Sequence, residues 1–451
     1  MRLTVGELAK ATNGKILYGD EQKYFQFVST DSRGDLGGKL FIPIKGENFD
    51  GHNFIEKALE NGALGYLTEN ENIKIIEGAF AVFVKDTKIA LGALASFVIS
   101  KSKAKVIGIT GSVGKTTTRQ FIAQVVATKG KTLATEGNFN NNIGLPLTIL
   151  KMEGDEEFVV LEMGMNSLGE ISYLSNICKP DISVITLIGT SHIEFLGSRE
   201  NILKAKLEIQ DGMKKDGILV LNGDDQILFD LKDKLTYEAK YYGIKGCNIK
   251  VLKSADKCQF EIDNFLYEIN IDGVHNIVNA SAGVLIGKLI GCTNEQIKQG
   301  LLQFKQEKLR QSIEKIKDFT IIVDCYNASL DSNLAALSVL SSYKDKRKIA
   351  ILGAIGELGG FCEEILNEVG VGVSKNNIDI LICVDENSHF IRDGAISSGM
   401  NEKKIYNFET KQEFYENINK IIKKDDVILI KASRKYKFEE IYKYICEVYE
   451  V

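Results

Sequence analysis

The chain has 451 residues, of which 44% are apolar and 26% charged, the balance of an ordinary globular protein; at about 150 residues per domain this suits about three domains. A net charge of −5 argues against bulk attraction to nucleic acid or to an anionic membrane, while leaving room for local basic pockets. The longest apolar stretch, Ile89–Ser100, is shorter than the roughly 20 residues a bilayer requires, and MRLTVGELAKATNG has no signal-peptide apolar core. Eight scattered cysteines contain no CxxC pair, which suits reduced thiols rather than a zinc site or disulfide frame. The expectation is a cytoplasmic protein with no nucleic-acid partner and no membrane insertion.

In chain order the sequence reads as three α/β blocks, at residues 1–100, 101–305 and 306–451. The first mixes short strands (KILYG, YFQFVST, KLFIPIKG, LGYLTE, AFAVFVK) with helical stretches (NFIEKALENGA, DTKIALGALASFVIS). Asn13-Gly14 and Gly19-Asp20 supply turns, and the polar run 101–105 marks a boundary. The second opens on the apolar run KVIGIT, a glycine-rich turn and the helical TTTRQFIAQVVATKG, with Gly130 as its stop signal. FVVLEMG, ISVITLIG and GILVLNG then alternate with helical patterns such as SRENILKAKLEIQDGM, the mark of a parallel sheet covered on both faces. A β-rich insertion at residues 249–273 and two helices near 276–304 close the block. In the third, TIIVDCYNA, RKIAILGAI, DILICVD, KIYNF and DDVILIKA are strands spaced by helices, a Rossmann-like pattern without GxGxxG. The fold class is α/β, with a central P-loop-containing parallel-sheet domain and a C-terminal Rossmann-like domain.

GITGSVGKTTT, residues 108–118, sits between a strand and a helix, the context a P-loop requires. Gly111, Ser112, Gly114 and Thr117 belong to the phosphate-cradling run, where backbone N–H groups and a helix N-terminus meet phosphate oxygens. Lys115 would pair with the β- and γ-phosphates, and the Thr116 hydroxyl would bind Mg²⁺. The common pattern wants glycine where this chain has Ile109; the glycines fall at 108, 111 and 114 instead. Glu162 ends the run FVVLE at the edge where a parallel sheet presents its crevice, a natural Mg²⁺ ligand or simply a solvated strand-end carboxylate. His192 follows the next strand at the same edge.

The variant TGSxGKTT resembles the Mur ligases, ATP-dependent amide-forming enzymes of cell-wall precursor synthesis. TEGNFNNNIGLPLTIL, LEMGMNSLGEI, IGTSHIEFLGSRENILKAKLEI, LNGDD and GVHNIVNA, together with STDSR and LFIPIKGENFDGHNFI in the first block, are similar to the MurF branch in order over some 400 residues. The resemblance implies ATP and Mg²⁺, with Thr116, Glu162, His192 and Lys206 at the metal and Lys115, Glu162, His192 and Lys206 in catalysis. It implies a carbamylated Lys206, which on composition alone is an ordinary surface lysine; carbamylation needs a neutral amine and hence a depressed pKa. Asn276 and Asn279 would contact adenine, although Asn276 could equally cap its helix. Arg310 and Asp324 would reach the phosphates and ribose from the third block. Asn138, Asn141 and Asn142 would hold the UDP-sugar substrate, or merely form turns. Ser32, Arg33 and Lys45 are candidates for uridine and the peptide end; Arg33 and Lys45 read equally as surface charges.

The substrates so implied are UDP-N-acetylmuramoyl-tripeptide and D-alanyl-D-alanine, joined by a monomer. Departures from the family pattern include Val113, Leu187 and Ala432 and, in the third block, Val323, Leu330, Ala354 and Leu366. If that block shapes the amine pocket, these apolar residues imply relaxed acceptor choice. Two alternatives stand beside this reading: a paralogous ligase with another amine acceptor, and a nucleotide-binding regulatory protein with a degenerate site.

Overall fold

The computed structural model describes residues 1–232, 234–253 and 257–449; Ser254, Ala255 and Asp256 of the expected β-rich insertion lie outside the described residues. Three main sheets follow one another along the chain. In the first, Val28–Ser29, Leu40–Phe41, Gly65–Thr68 and Phe80–Phe83 run parallel, and Lys15–Tyr18 pairs antiparallel with Phe80–Phe83. The expected strand YFQFVST is split at Phe27, whose φ of 66° turns the chain, so Tyr24–Gln26 pairs with Arg2–Thr4 in a separate ribbon. The run KLFIPIKG is a strand only at Leu40–Phe41, because Pro43 soon after has no N–H for a ladder.

The central sheet is entirely parallel, in the order Glu238–Tyr242, Ile218–Asn222, Ile182–Ile185, Lys105–Thr110, Phe158–Glu162, Thr132–Ala134. Its inner strands are mostly apolar and buried because helices cover both faces. The chain leaves Lys105–Thr110 for the far edge, returns beside it as Phe158–Glu162, and then builds out on the other side. That reversal places a crevice at the C-terminal end of Lys105–Thr110, flanked by Glu162 and by the loop after Ile185. The three-stranded antiparallel insertion packs over the helices Val274–Leu289 and Asn294–Leu302.

In the third sheet Phe319–Val323, Val427–Lys431, Lys348–Leu352, Ile380–Val384 and Ile405–Phe408 are parallel, with Ser312–Ile316 antiparallel at one edge. Its strands also end toward the central crevice, so Asp324 and Lys431 face the P-loop across the boundary. The helix Thr87–Lys101 accounts for the apolar stretch Ile89–Ser100: it buries Ala90, Leu91, Leu94, Ala95 and Val98 against Gly144–Ile149 and Glu170–Cys178. Among the described residues no helix is long and apolar enough to cross a membrane.

Candidate active site

The P-loop joins the strand Lys105–Thr110 to the helix Lys115–Ala127. Gly111 (φ 146°) and Gly114 (φ 84°) lie where side chains are excluded; a Cβ on Gly111 would come within 1.9 Å of Thr186 Oγ1. Lys115 Nζ donates to the carbonyls of Gly111 (2.8 Å) and Ser112 (3.3 Å), so the lysine folds back over its own loop. Ser112 Oγ accepts from Gly189 N at 3.0 Å, tying the P-loop to the segment that carries His192. Val113 and Leu187 use only backbone here: Val113 O accepts from Thr186 Oγ1, and Leu187 O accepts from Ser112 N.

A cavity of about 420 Å³ opens over this loop. Ser112, Gly114, Lys115, Thr116 and Thr117 line it, with Asn138, Asn141, Glu162, His192, Asn276, Asn279, Arg310 and Asp324. The structure thus brings together residues from five stretches of the central block and from the third. Gly111 supports the loop from beneath. Asn142 is exposed outside the cavity. Ser32, Arg33 and Lys45 do not reach it: Ser32 is buried, Lys45 is exposed and bridges Asp50, and exposed Arg33 makes a bidentate pair with Asp31 at 2.9 and 2.8 Å.

Glu162 is buried, and both its oxygens are engaged, Oε1 by Asn140 Nδ2 (3.0 Å) and Oε2 by Arg119 Nε (3.3 Å). A carboxylate offers about four acceptor positions, so room for a cation remains. His192 sits in a left-handed turn (φ 64°) ahead of Ile193–Leu196. Burial, then the charges of Lys206 and Lys115, push its pKa down to about 4, while Glu170 pulls it upward. The imidazole is therefore neutral at pH 7, the form that binds metals. Its Nδ1 lies 2.6 Å from Glu357 Oε2, a contact without hydrogen-bond alignment.

Lys206 is 1% exposed, and its Nζ has no hydrogen-bond partner. Burial, and next the positive charge of Lys115, drive its pKa well below the usual lysine range, against opposing pulls from Glu170 and Glu208. A buried amine with no partner is costly unless something completes it. It stands behind the cavity wall rather than in it. This orphaned amine beside a neutral imidazole, a carboxylate and the buried Thr116 hydroxyl is a donor set that fits a carbamate and a divalent cation.

The base-side residues are already interlocked. Asn276 is not the helix cap; Gly273 holds that place, because Asn276 lies three residues inside Val274–Leu289. Its Nδ2 donates to Asp272 O at 2.6 Å, and its Oδ1 accepts from Asn279 Nδ2 at 3.4 Å. Asn141 does serve its turn, with Oδ1 accepting from Ile143 N and Gly144 N. Asp324 pairs with buried Lys431 at 2.5 Å, and Arg310 stacks over Tyr326 at 3.8 Å.

The sequence reading left out Arg119, Lys431, Gln311 and Glu170. Arg119 lies four residues after Lys115 on one helix, so helical spacing alone points it toward the same crevice. Lys431 ends the apolar strand VILIK, where a charge is out of place. Gln311 links Asp272 O and His275 to Asp324, and no local pattern marks it. Val323, Ala354 and Leu366, expected to shape an acceptor pocket, are buried in the core, and Leu330 packs partly against it. None of the four lines a cavity at the site, so the relaxed-acceptor expectation loses its structural basis. Ala432 is likewise core.

A phosphate loop in a parallel sheet, facing a second, mostly parallel sheet that carries Asp324, defines an ATP-dependent ligase architecture of the Mur type. Sequence profiles agree: that of the Mur ligase family catalytic domain matches residues 24–109, the Mur ligase middle domain 109–287, and the Mur ligase glutamate ligase domain 310–434. A UDP-N-acetylmuramoyl-tripeptide–D-alanyl-D-alanine ligase of Bacillus subtilis (strain 168) is 38% identical, over 98% of this chain and 97% of its own. A crystal structure of MurF from Acinetobacter baumannii superposes with a TM-score of 0.90 at 29% identity, covering 99% of both chains. MurF of Thermotoga maritima in complex with ADP gives 0.82 at 28% identity, covering 94% of this chain and 98% of that one. The chain belongs to the Mur ligase family.

Proposed function

We propose that the protein is an ATP-dependent amide ligase that adds D-alanyl-D-alanine to UDP-N-acetylmuramoyl-tripeptide in peptidoglycan precursor synthesis. The observation that carries this is the cavity where Lys115, Glu162 and His192 meet Arg310 and Asp324 of the third block, in a chain similar along its whole length to ligases of that name. Residues 1–100 hold the UDP substrate, with Ser32, Arg33 and Lys45 as its contacts; residues 101–305 hold ATP, and residues 306–451 bring the dipeptide and complete the nucleotide site. The enzyme is cytoplasmic and acts as a monomer.

Amide formation at neutral pH requires an activated carboxylate. The terminal carboxylate of the tripeptide attacks the γ-phosphorus of ATP, giving an acyl phosphate and ADP. The neutral amine of the dipeptide then attacks the carbonyl, loses a proton and expels phosphate. Two anions must meet in the first step, so positive charge in the crevice governs its rate. Lys115 supplies it at the phosphates, and Arg310 reaches them from the third block. Asn276 and Asn279 hold adenine, and Asp324, fixed by Lys431, holds the ribose. Asn138, Asn141 and Asn142 hold the sugar substrate. Thr116, Glu162, His192 and a carbamylated Lys206 would hold Mg²⁺, which when bound screens charge on the transferring phosphoryl group. The buried, unpartnered amine of Lys206, its pKa driven down by burial and by Lys115, supports that modification.

The test is a component-omission assay with product mass. Phosphate release should require ATP, UDP-N-acetylmuramoyl-tripeptide and D-alanyl-D-alanine together, and the product should gain one dipeptide less water. ATP turnover indifferent to both substrates would favour the degenerate regulatory alternative.

A further inference from the structure

A second groove of about 920 Å³ adjoins the phosphate cavity and shares with it Asn138, Ser191, His192 and the segment 326–329. Its four charged side chains are Glu194, Glu357, Arg434 and Lys435. They are sorted by sign. The acidic pair lies at the His192 end, where Glu357 Oε2 is 2.6 Å from His192 Nδ1 and Glu194 N donates to Glu357 O at 3.2 Å. Among the described residues no lysine or arginine pairs with Glu357. Glu357 also holds φ 60°, a backbone state a glutamate keeps only when its surroundings impose it.

The basic pair follows the strand Val427–Lys431 and lines only the second groove, away from the P-loop. Leu352 is in register with Lys431, and Gly356 N donates to Ser433 Oγ at 2.9 Å. Glu357 and Arg434 therefore each follow one residue after a bonded pair, on neighbouring loops. Arg434 pairs with Glu439 at 3.1 Å, yet its side chain stays 57% exposed.

We propose that this groove receives the acceptor dipeptide as a zwitterion, Glu357 holding its ammonium beside the phosphate cavity and Arg434 holding its C-terminal carboxylate. The inference rests on the ligase reading above. The sign order admits the dipeptide in one direction only. The amino end must lie where the acyl phosphate forms, and the carboxylate must lie outward. Reversed entry would set carboxylate against Glu357 and Glu194 and ammonium against Arg434 and Lys435, which like-charge repulsion disfavours.

The experiment measures phosphate release by the full-length enzyme with ATP and UDP-N-acetylmuramoyl-tripeptide saturating. Three acceptors are compared: D-alanyl-D-alanine, its C-terminal amide, and hydroxylamine, a small uncharged amine. Wild type should prefer the free dipeptide to its amide, and Arg434→Gln should reduce that preference by about tenfold or more, the effect of one charged hydrogen bond. Glu357→Gln should lower use of the dipeptide relative to hydroxylamine by a similar factor, chiefly through KM. Unchanged acceptor ratios in both variants would overturn the assignment. So would a higher Mg²⁺ requirement in Glu357→Gln with its acceptor ratio intact, since Glu357 would then act by holding His192. Failure of wild type with all three acceptors would instead sink the ligase reading, and the inference with it.

Discussion

Arg119 Nε lies 3.3 Å from Glu162 Oε2 in a pair almost wholly sealed from solvent. The same guanidinium reaches Glu307 Oε1 at 2.9 Å and the carbonyl of Thr135. One arginine thus fixes a proposed metal ligand and the segment that leads into the third block. Removing one partner of a buried pair strands the other, which typically costs about 3–5 kcal/mol. Arg119→Ala should lose stability on that scale and most activity, and Arg119→Lys should recover part of both. Denaturant unfolding checks the first, and an alanine variant as stable as wild type contradicts it.

Lys115→Ala should depress phosphate release by about 10²–10³-fold, the usual loss of one preorganised electrostatic donor. The fold should survive, because Lys115 bonds only to carbonyls of its own loop. Turnover close to wild type would remove the lysine from the reaction.

Lys206 separates stability from function. Its buried amine lacks a partner, so Lys206→Met, of similar shape and apolar, should leave the unmodified protein as stable or more so, by up to about 1–3 kcal/mol. Activity should nonetheless vanish, and Lys206→Ala should regain some with short carboxylates that replace the carbamate oxygens. Carbon-13 bicarbonate should label Lys206 in active enzyme. Full activity with no label would defeat the carbamate.

His192 predicts an acid sensitivity. Its folded pKa of about 4 lies below the unfolded value of 6.5, so protonation favours the unfolded chain. The stability it contributes is complete above pH 6.5 and drains away as pH falls toward 4, about 3 kcal/mol in all. His192→Asn, which suits the left-handed backbone, should lose less stability than wild type between pH 7.5 and 4.5. Parallel losses in the two proteins would show that His192 titrates normally.

The central and third sheets were legible in the sequence because their strands are continuous apolar runs between helices. The first block was less so. Its helix Val5–Thr12 carries a capping box of Thr4 and Glu7 but is too short for a sustained hydrophobic period to mark it, and Phe27 and Pro43 cut runs that read as single strands. At the site, Lys115, Thr116 and Glu162 sit at a strand end or on the P-loop, where local pattern and position coincide, whereas His192 lies in the turn before Ile193–Leu196 and only the family resemblance marks it as a ligand. Arg119 and Gln311 act through partners distant in sequence, Glu307 and Asp272 among them, and pattern carries no trace of such pairings. The apolar departures at Val323, Ala354 and Leu366 looked functional only because burial is invisible in a motif.

Oxygen transfer tests the central claim most directly. UDP-N-acetylmuramoyl-tripeptide labelled with ¹⁸O in its terminal carboxylate is incubated with the enzyme, ATP, Mg²⁺ and D-alanyl-D-alanine, and the released phosphate is weighed by mass spectrometry. Reaction through an acyl phosphate puts one carboxylate oxygen into each phosphate, so the phosphate should carry one ¹⁸O. Unlabelled phosphate, with the label retained in the tripeptide, would contradict the account.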